Sequence, residues 1–183
     1  MIGGPVEGEL DKNFIERRRE HRLPYQERVI FSDGRQSITQ YAVNISRGGI
    51  FMTSLDPLPM NTVGYVAFLL HNHPTSLCVK ARVAHIMFDR QRCEIDCGMG
   101  FQFVDLNESH RAIINTYILN IQTSYLELKR ILAAPSPNAT ELQRALRKVP
   151  RLQGLDLLAL RYKVNRVCTV FETPTELDLS ESA

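Results

Sequence analysis

Near residue 105 the apolar pattern of this 183-residue chain changes period, and that change constrains the fold more than any other feature. On its N-terminal side, apolar and polar side chains alternate in short runs, the two-residue period of a half-buried strand. Tyr25 to Ser32 alternates around Val29 and Phe31, and Gln36 to Ile45 reads as its return strand. Asp33-Gly34 between them is a hairpin turn signal. Gly48 or Gly49 breaks the return strand, and Ile50-Phe51-Met52-Thr53 begins the next. Asp56-Pro57-Leu58-Pro59 makes a loop, because proline cannot donate to a central ladder. Thr62 to Leu70 is a further strand, ended by His71-Asn72-His73-Pro74. Leu77, Val79, Ala81 and Val83 alternate with Cys78, Lys80, Arg82 and Ala84. After a turn at Asp89-Arg90-Gln91-Arg92, Cys93 to Val104 completes the set. About six short strands with turns between them predict an antiparallel barrel or sandwich.

Beyond the change, Ile114, Tyr117, Ile118, Ile121, Tyr125, Leu128 and Leu132 recur at helical spacing. Asn107 or Asp105 can cap the start, and Ala133-Ala134-Pro135-Ser136-Pro137 ends the helix. Asn138 and Glu141 fit a capping box for a second helix, to Val149 before Pro150. Leu152 to Tyr162 reads as helical with a weak point at Gly154, and the β-branched run Val164 to Phe171 suggests an added strand. The expected class is mainly β with a helical C-terminal extension. Residues 1–13 are expected to be mobile, and the acidic residues 172–183 to be disordered.

Composition narrows the setting. A net charge of +2 is too small to mark a general nucleic-acid binder, so nucleic acid is not the expected partner. No apolar run approaches the ~20 residues that span a bilayer. The first residues, Met1-Ile2-Gly3-Gly4-Pro5-Val6, lack the basic-then-apolar pattern of a secretory signal. Cys78, Cys93, Cys97 and Cys168 are widely spaced and read as buried or half-buried reduced thiols, which suits the cytoplasm.

Two polar runs carry the chemistry. Arg17-Arg18-Arg19-Glu20-His21-Arg22 contains R-x-x-x-R, with Arg18 and Arg22 as its ends. Asn44-Ile45-Ser46-Arg47-Gly48-Gly49 fits [D/N]-x-S-x-x-G. A guanidinium is a flat fork of donors that grips a phosphate or the O6/N7 edge of guanine, and it also stacks on a base. An Asn oxygen accepts from the N1–H and N2–H₂ edge of guanine, and a Ser hydroxyl donates or accepts. Paired glycines allow close backbone approach, and successive N–H groups in such a turn cup an anion. Because the hairpin lies between the runs, a basic arm can fold back over a polar strand end. Such a site suits a planar, anionic ligand with guanine edges.

Other constellations are weaker. His71 and His73 with Cys93 and Cys97 lack zinc-ligand spacing. Gly98-Met99-Gly100 lacks the strand–turn–helix context of a dinucleotide fingerprint. His85, on an apolar strand, reads as a structural histidine. No Ser/His/Asp set has local catalytic context, and no metal-ligand cluster stands ready to activate water, so an enzyme is not expected.

From about Glu16 to about Tyr125 the chain resembles the PilZ domain family of bacterial cyclic di-GMP receptors. The resemblance rests on the Arg18/Arg22 arm, the Asn44–Phe51 run, the strand pair Val79–Ala84 and Cys97–Phe103 with its G-x-G-F-x-F pattern, and a helix beginning near Glu108. It implies a six-stranded antiparallel β-barrel over residues 14–134, arm and long helix included. Residues 135–171 then form a helical extension about which the resemblance says nothing. It further implies that Arg18 and Arg22 engage phosphates and guanines, that Asn44 and Ser46 contact a guanine edge, and that Gly48 and Gly49 keep the backbone open to the ligand. In the family, an arginine just before the arm motif, here Arg17, is associated with an intercalated ligand pair. The implied role is a cyclic di-GMP receptor without cofactor or metal, signalling to a protein partner in motility, pilus or biofilm and exopolysaccharide control. The helices between Glu108 and Lys163 are the expected surface for that partner or for a homodimer. The alternative is a PilZ-fold adaptor that binds no nucleotide and acts through protein contacts.

Overall fold

A computed structural model describes residues 21–71, 73–87 and 97–172. Six strands are followed by three α-helices: β1 (Leu23–Ser32), β2 (Ser37–Ser46), β3 (Gly49–Thr53), β4 (Val63–Phe68), β5 (Leu77–Met87), β6 (Gly98–Phe103), α1 (Glu108–Leu132), α2 (Ala139–Leu146) and α3 (Leu157–Glu172). Every pairing is antiparallel, and the order β1-β2-β3-β6-β5-β4 closes into a barrel. Closure comes from Ile30, Phe31 and Ser32 pairing with Ala67, Val66 and Tyr65. Closure leaves no exposed sheet edge. Of the two architectures that alternation allows, the chain therefore forms the barrel.

Local chemistry sets most boundaries. Gly34 takes φ +86° in the β1–β2 turn, where Asp33 Oδ1 accepts from the N–H groups of Arg35 and Gln36 at 2.9 Å. Asn107 caps α1, accepting from the His110 N–H at 2.7 Å. Asn138 caps α2, accepting from Thr140 and Glu141.

Two cores result. Inside the barrel Phe31 lies against Phe101 at 4.8 Å and Phe68 stacks on Phe103 at 5.7 Å. Such aromatic pairs add about 0.5–1.5 kcal/mol each beyond the area they bury. Ile114 and Ile118 of α1 seal this core. Tyr125, Leu128 and Leu132, further along α1, join Ala145, Val149, Leu160, Val164 and Cys168 in a second core between the helices. One helix thus spans both cores.

Four expectations need correction. Val164–Phe171 is not a strand but the second half of α3. Leu160, Val164 and Cys168 recur every four residues and are all buried against α1, and that packing outweighs the β preference of valine. The helix expected over 152–162 starts only at Leu157: a 3₁₀ turn covers Pro150–Leu152, and Gly154 at φ +78° separates the two. Asp156 then accepts from the Ala159 N–H at 2.8 Å, as an N-cap does. Among the thiols, Cys97 and Cys168 are buried but Cys78 is exposed, on the outward phase of β5. Of the tail expected to be disordered over 172–183, Glu172 is instead the last residue of α3; residues 1–13 and 173–183, the turn at Asp89–Arg92 and Cys93 lie outside the described residues. No helix among the described residues is long and apolar enough to cross a membrane.

Where the barrel meets α1, three tyrosines give the fold a pH limit. Tyr25 donates its O–H to the Leu69 carbonyl, and its ring lies edge-on to Tyr117 at 6.5 Å. Burial pushes the Tyr117 phenol up to about 12 and raises Tyr25 and Tyr125 as well. A raised phenol pKa stabilises the fold fully below the unfolded value of about 10, and that contribution is lost as pH rises through the folded value. The denaturant midpoint is therefore expected to hold from neutral pH to about 9 and to fall above about 10. A midpoint unchanged at about pH 11 would contradict this account.

Candidate functional site

The hairpin register joins the two polar runs. Leu23 pairs with Ile45 and Pro24 with Asn44, so Arg22, one residue before β1, sits beside the Asn44–Ser46 end of β2. The chain separates these residues by more than twenty positions; two antiparallel strands bring them together.

A bulge then aims Asn44. Ala42 pairs with Met52 and Asn44 with Phe51, leaving Val43 as an extra residue in β2. Ala42 and Ile45 both point into the core at 0% exposure, which strict alternation forbids for positions three apart. The extra residue flips the phase. Val43 and Asn44 consequently face outward together, into the same cavity as Arg22.

That cavity has a volume of about 500 Å³, within the range of small-molecule sites. Arg22, Pro24, Gln26, Val43, Asn44, Phe51 and Met87 line it from the barrel. Arg151, Tyr162, Lys163 and Arg166 line it from the helical unit. Among the described residues that line it, four are cationic and none is a carboxylate. Asn44 Oδ1 is buried and has no hydrogen-bond partner among the described residues. An acceptor left this way costs about 1–3 kcal/mol, which a donor on a ligand offsets. A cationic cavity with a buried amide acceptor is chemically suited to an anion that also carries N–H donors.

A second cavity, about 530 Å³, lies between the β4–β5 connection and α1. Leu70, Ile113 and Ile121 make much of its wall, and Lys148, the one Lys or Arg among its described lining residues, is bound to Glu127 at 2.6 Å. It therefore lacks the convergent charge of the first.

The other predicted residues divide. Arg17 and Arg18 lie outside the described residues. Ser46 is buried at the end of β2 and pairs with Gly49; neither lines the cationic cavity. Gly48 lines a separate cavity of about 290 Å³ with Arg47, Arg111 and Asn115. At Gly49 the direction a Cβ would take is filled by the Phe101 carbonyl oxygen of β6, so this glycine meets a packing requirement of the sheet. His73 Nδ1 lies 2.8 Å from the Thr75 carbonyl oxygen and serves its own turn. Among the described residues no group of three or more His, Cys, Asp and Glu could hold a metal.

Sequence reasoning missed the residues of the helical wall. Read as a helix, the segment places Tyr162 and Arg166 four apart and Lys163 and Arg166 three apart, on one face. Dividing it into a helix to Tyr162 and a strand from Val164 hid that face. Two contacts hold the wall in place. Arg161 donates to the carbonyl oxygens of Leu132, Ala134 and Pro135 at 3.1, 2.7 and 3.1 Å, tying α3 to the end of α1. Phe171 meets the His21 ring edge-on at 6.3 Å, so the root of the arm rests on α3.

Several solved structures are similar to part of this chain. The Bacillus subtilis inhibitor of motility is 18% identical with a TM-score of 0.48, over 60% of this chain and 53% of its own. The PilZ domain of CeSA from a cellulose-synthesizing bacterium is 18% identical with a TM-score of 0.42, over 56% and 98%. The PilZ domain of Escherichia coli YcgR, solved with c-di-GMP, is 12% identical with a TM-score of 0.44, over 59% and 93%. This chain thus spans about half the length of the motility inhibitor. No curated protein matches it. The family model for the PilZ domain matches residues 16–120, which takes in Arg22, the bulged β2, the whole barrel and the first half of α1. With more than half of its length matched, this chain belongs to the PilZ domain family.

Proposed function

We propose that this chain is a cytoplasmic, non-enzymatic cyclic di-GMP receptor. Cyclic di-GMP is a dianion with two guanine bases, so it brings negative charge for the cations and guanine N–H donors for the Asn44 side chain. In this reading Arg17, Arg18 and Arg22 grip phosphates and guanine faces. Asn44 and Ser46 meet a guanine edge, with Gly48 and Gly49 shaping the turn beside it. The arm closes on the ligand, at an entropic cost that charge-assisted hydrogen bonds and stacking must exceed. The closed state offers a protein partner a new surface and so shifts a population. In this reading the output is motility, pilus function or biofilm and exopolysaccharide control.

The observation that carries the proposal is Asn44. Asn44 lines a cavity it shares with Arg22, and its Oδ1 is buried without a hydrogen-bond partner among the described residues. Calorimetric titration with cyclic di-GMP is expected to give saturable binding, about tenfold weaker in Asn44→Ala, the loss of roughly one hydrogen bond to a charged or buried partner. Absence of heat together with absence of a thermal shift in the unaltered protein would end the receptor reading, and the adaptor reading would take its place.

A further inference from the structure

Helix α3 lies beyond the matched residues 16–120, yet it forms a wall of the cavity. We infer that α3 is a second jaw of the nucleotide site: Lys163 and Arg166 take a phosphate, Tyr162 offers its ring to a guanine, and the ligand bridges the barrel and the helical unit. The inference deepens the receptor reading and rests on it.

Three observations support it. First, the helix is sorted by face. Leu160, Val164 and Cys168 are buried against α1, while Tyr162, Lys163 and Arg166 turn toward the cavity. Second, two other cations of the helical unit are engaged. Lys148 binds Glu127 at 2.6 Å, and Arg161 holds three carbonyl oxygens. Lys163 and Arg166 have no carboxylate partner among the described residues. The like charges of Lys163 and Arg166 at one cavity repel one another, and an anion between them reverses the sign of that interaction. Third, Tyr162 is 65% exposed at the cavity wall, so one face of its ring is open to a planar partner. Stacking on such a ring tolerates any base, so discrimination stays with Asn44 and the arm.

Bridging has a consequence. The barrel and the helical unit keep separate cores, joined mainly through α1. A ligand held by Arg22 and Asn44 on one side and by Lys163 and Arg166 on the other clamps the two cores together. The partner signal then arises from the helical unit as well as from the arm.

The test is titration of the full chain with cyclic di-GMP at two salt concentrations. Lys163→Ala/Arg166→Ala is compared with Arg144→Ala/Arg147→Ala, which removes the same charge from α2 away from the cavity. The expected result is at least about tenfold weaker binding and a shallower salt dependence for the first pair, and little change for the second. Tyr162→Ala is expected to weaken binding about tenfold at both salt concentrations. All these side chains are exposed or half-buried, and thermal melts verify that the variants stay folded. If the 163/166 pair binds like the unaltered protein while Arg22→Ala does not bind, the second jaw is refuted and the receptor stands. Equal losses in both pairs reduce the effect to net charge and also refute the jaw. If the unaltered protein binds nothing, the receptor reading and the jaw fall together.

Discussion

Arg22→Ala is expected to weaken cyclic di-GMP binding about 100-fold in calorimetric titration, with the melting temperature of the free protein little changed. Among the described residues, Arg22 is the arm arginine, and the barrel determines its position. It precedes β1 directly, and the Leu23–Ile45 and Pro24–Asn44 pairs hold it at the cavity mouth beside Asn44. A guanidinium engaged in two parallel charge-assisted bonds contributes about 3 kcal/mol, which corresponds to a factor of about 100. Arg22→Lys should recover only part of this, because an ammonium supplies charge without the planar fork. Full binding by Arg22→Ala would mean that the cavity does not hold the ligand through the arm. Full recovery by lysine would reduce the contact to simple charge.

Gly49→Val carries a large expected cost to the fold. Gly49 faces Gln102 in β6, and a Cβ on it would collide with the Phe101 carbonyl oxygen. That oxygen belongs to the backbone of a central strand, flanked by β3 and β5, so it cannot swing aside as a side-chain tip can. Relief requires β3 and β6 to separate, at the seam that carries Ile50 and Phe101 of the core. Strain of this kind costs about 3 kcal/mol, or about 10 °C in melting temperature for a chain of this size. Thermal and denaturant melts without ligand provide the measurement. Normal stability with lost binding would instead assign Gly49 to the ligand, as the family resemblance implies. The same glycine thus separates a packing role from a binding role.

The period change near residue 105 was legible because burial writes itself into sequence at short range. A strand with one wet face must alternate, and a helix with one wet face must repeat near every fourth residue. The strands, the Asp33-Gly34 turn, the Asn107 cap and α1 from Glu108 to Leu132 all follow from such local rules. Asn44 and Arg22 were identifiable as chemistry for the same reason: residue type and spacing are local properties. Where local signals conflicted, they misled. Val164, Val167 and Val170 carry β preference, but the contact of Val164 with α1 decides their conformation, and no local rule contains α1.

What the sequence determined by itself, then, is the set of elements and the polar residues with which a PilZ site can be built. What only the tertiary structure decided is which of them share a cavity. Strict alternation would place Asn44 on the same face as the buried Ala42; one extra residue at Val43 turns it outward. Nothing in the arm or in β2 announces Lys163 and Arg166, more than a hundred residues downstream. They reach the site because α1 carries a second core past the barrel and α3 folds back along it, tied at Arg161. Bulge phase and helix docking are settled by packing between distant segments, and the free energy of that packing belongs to the assembled chain and to no single stretch of it.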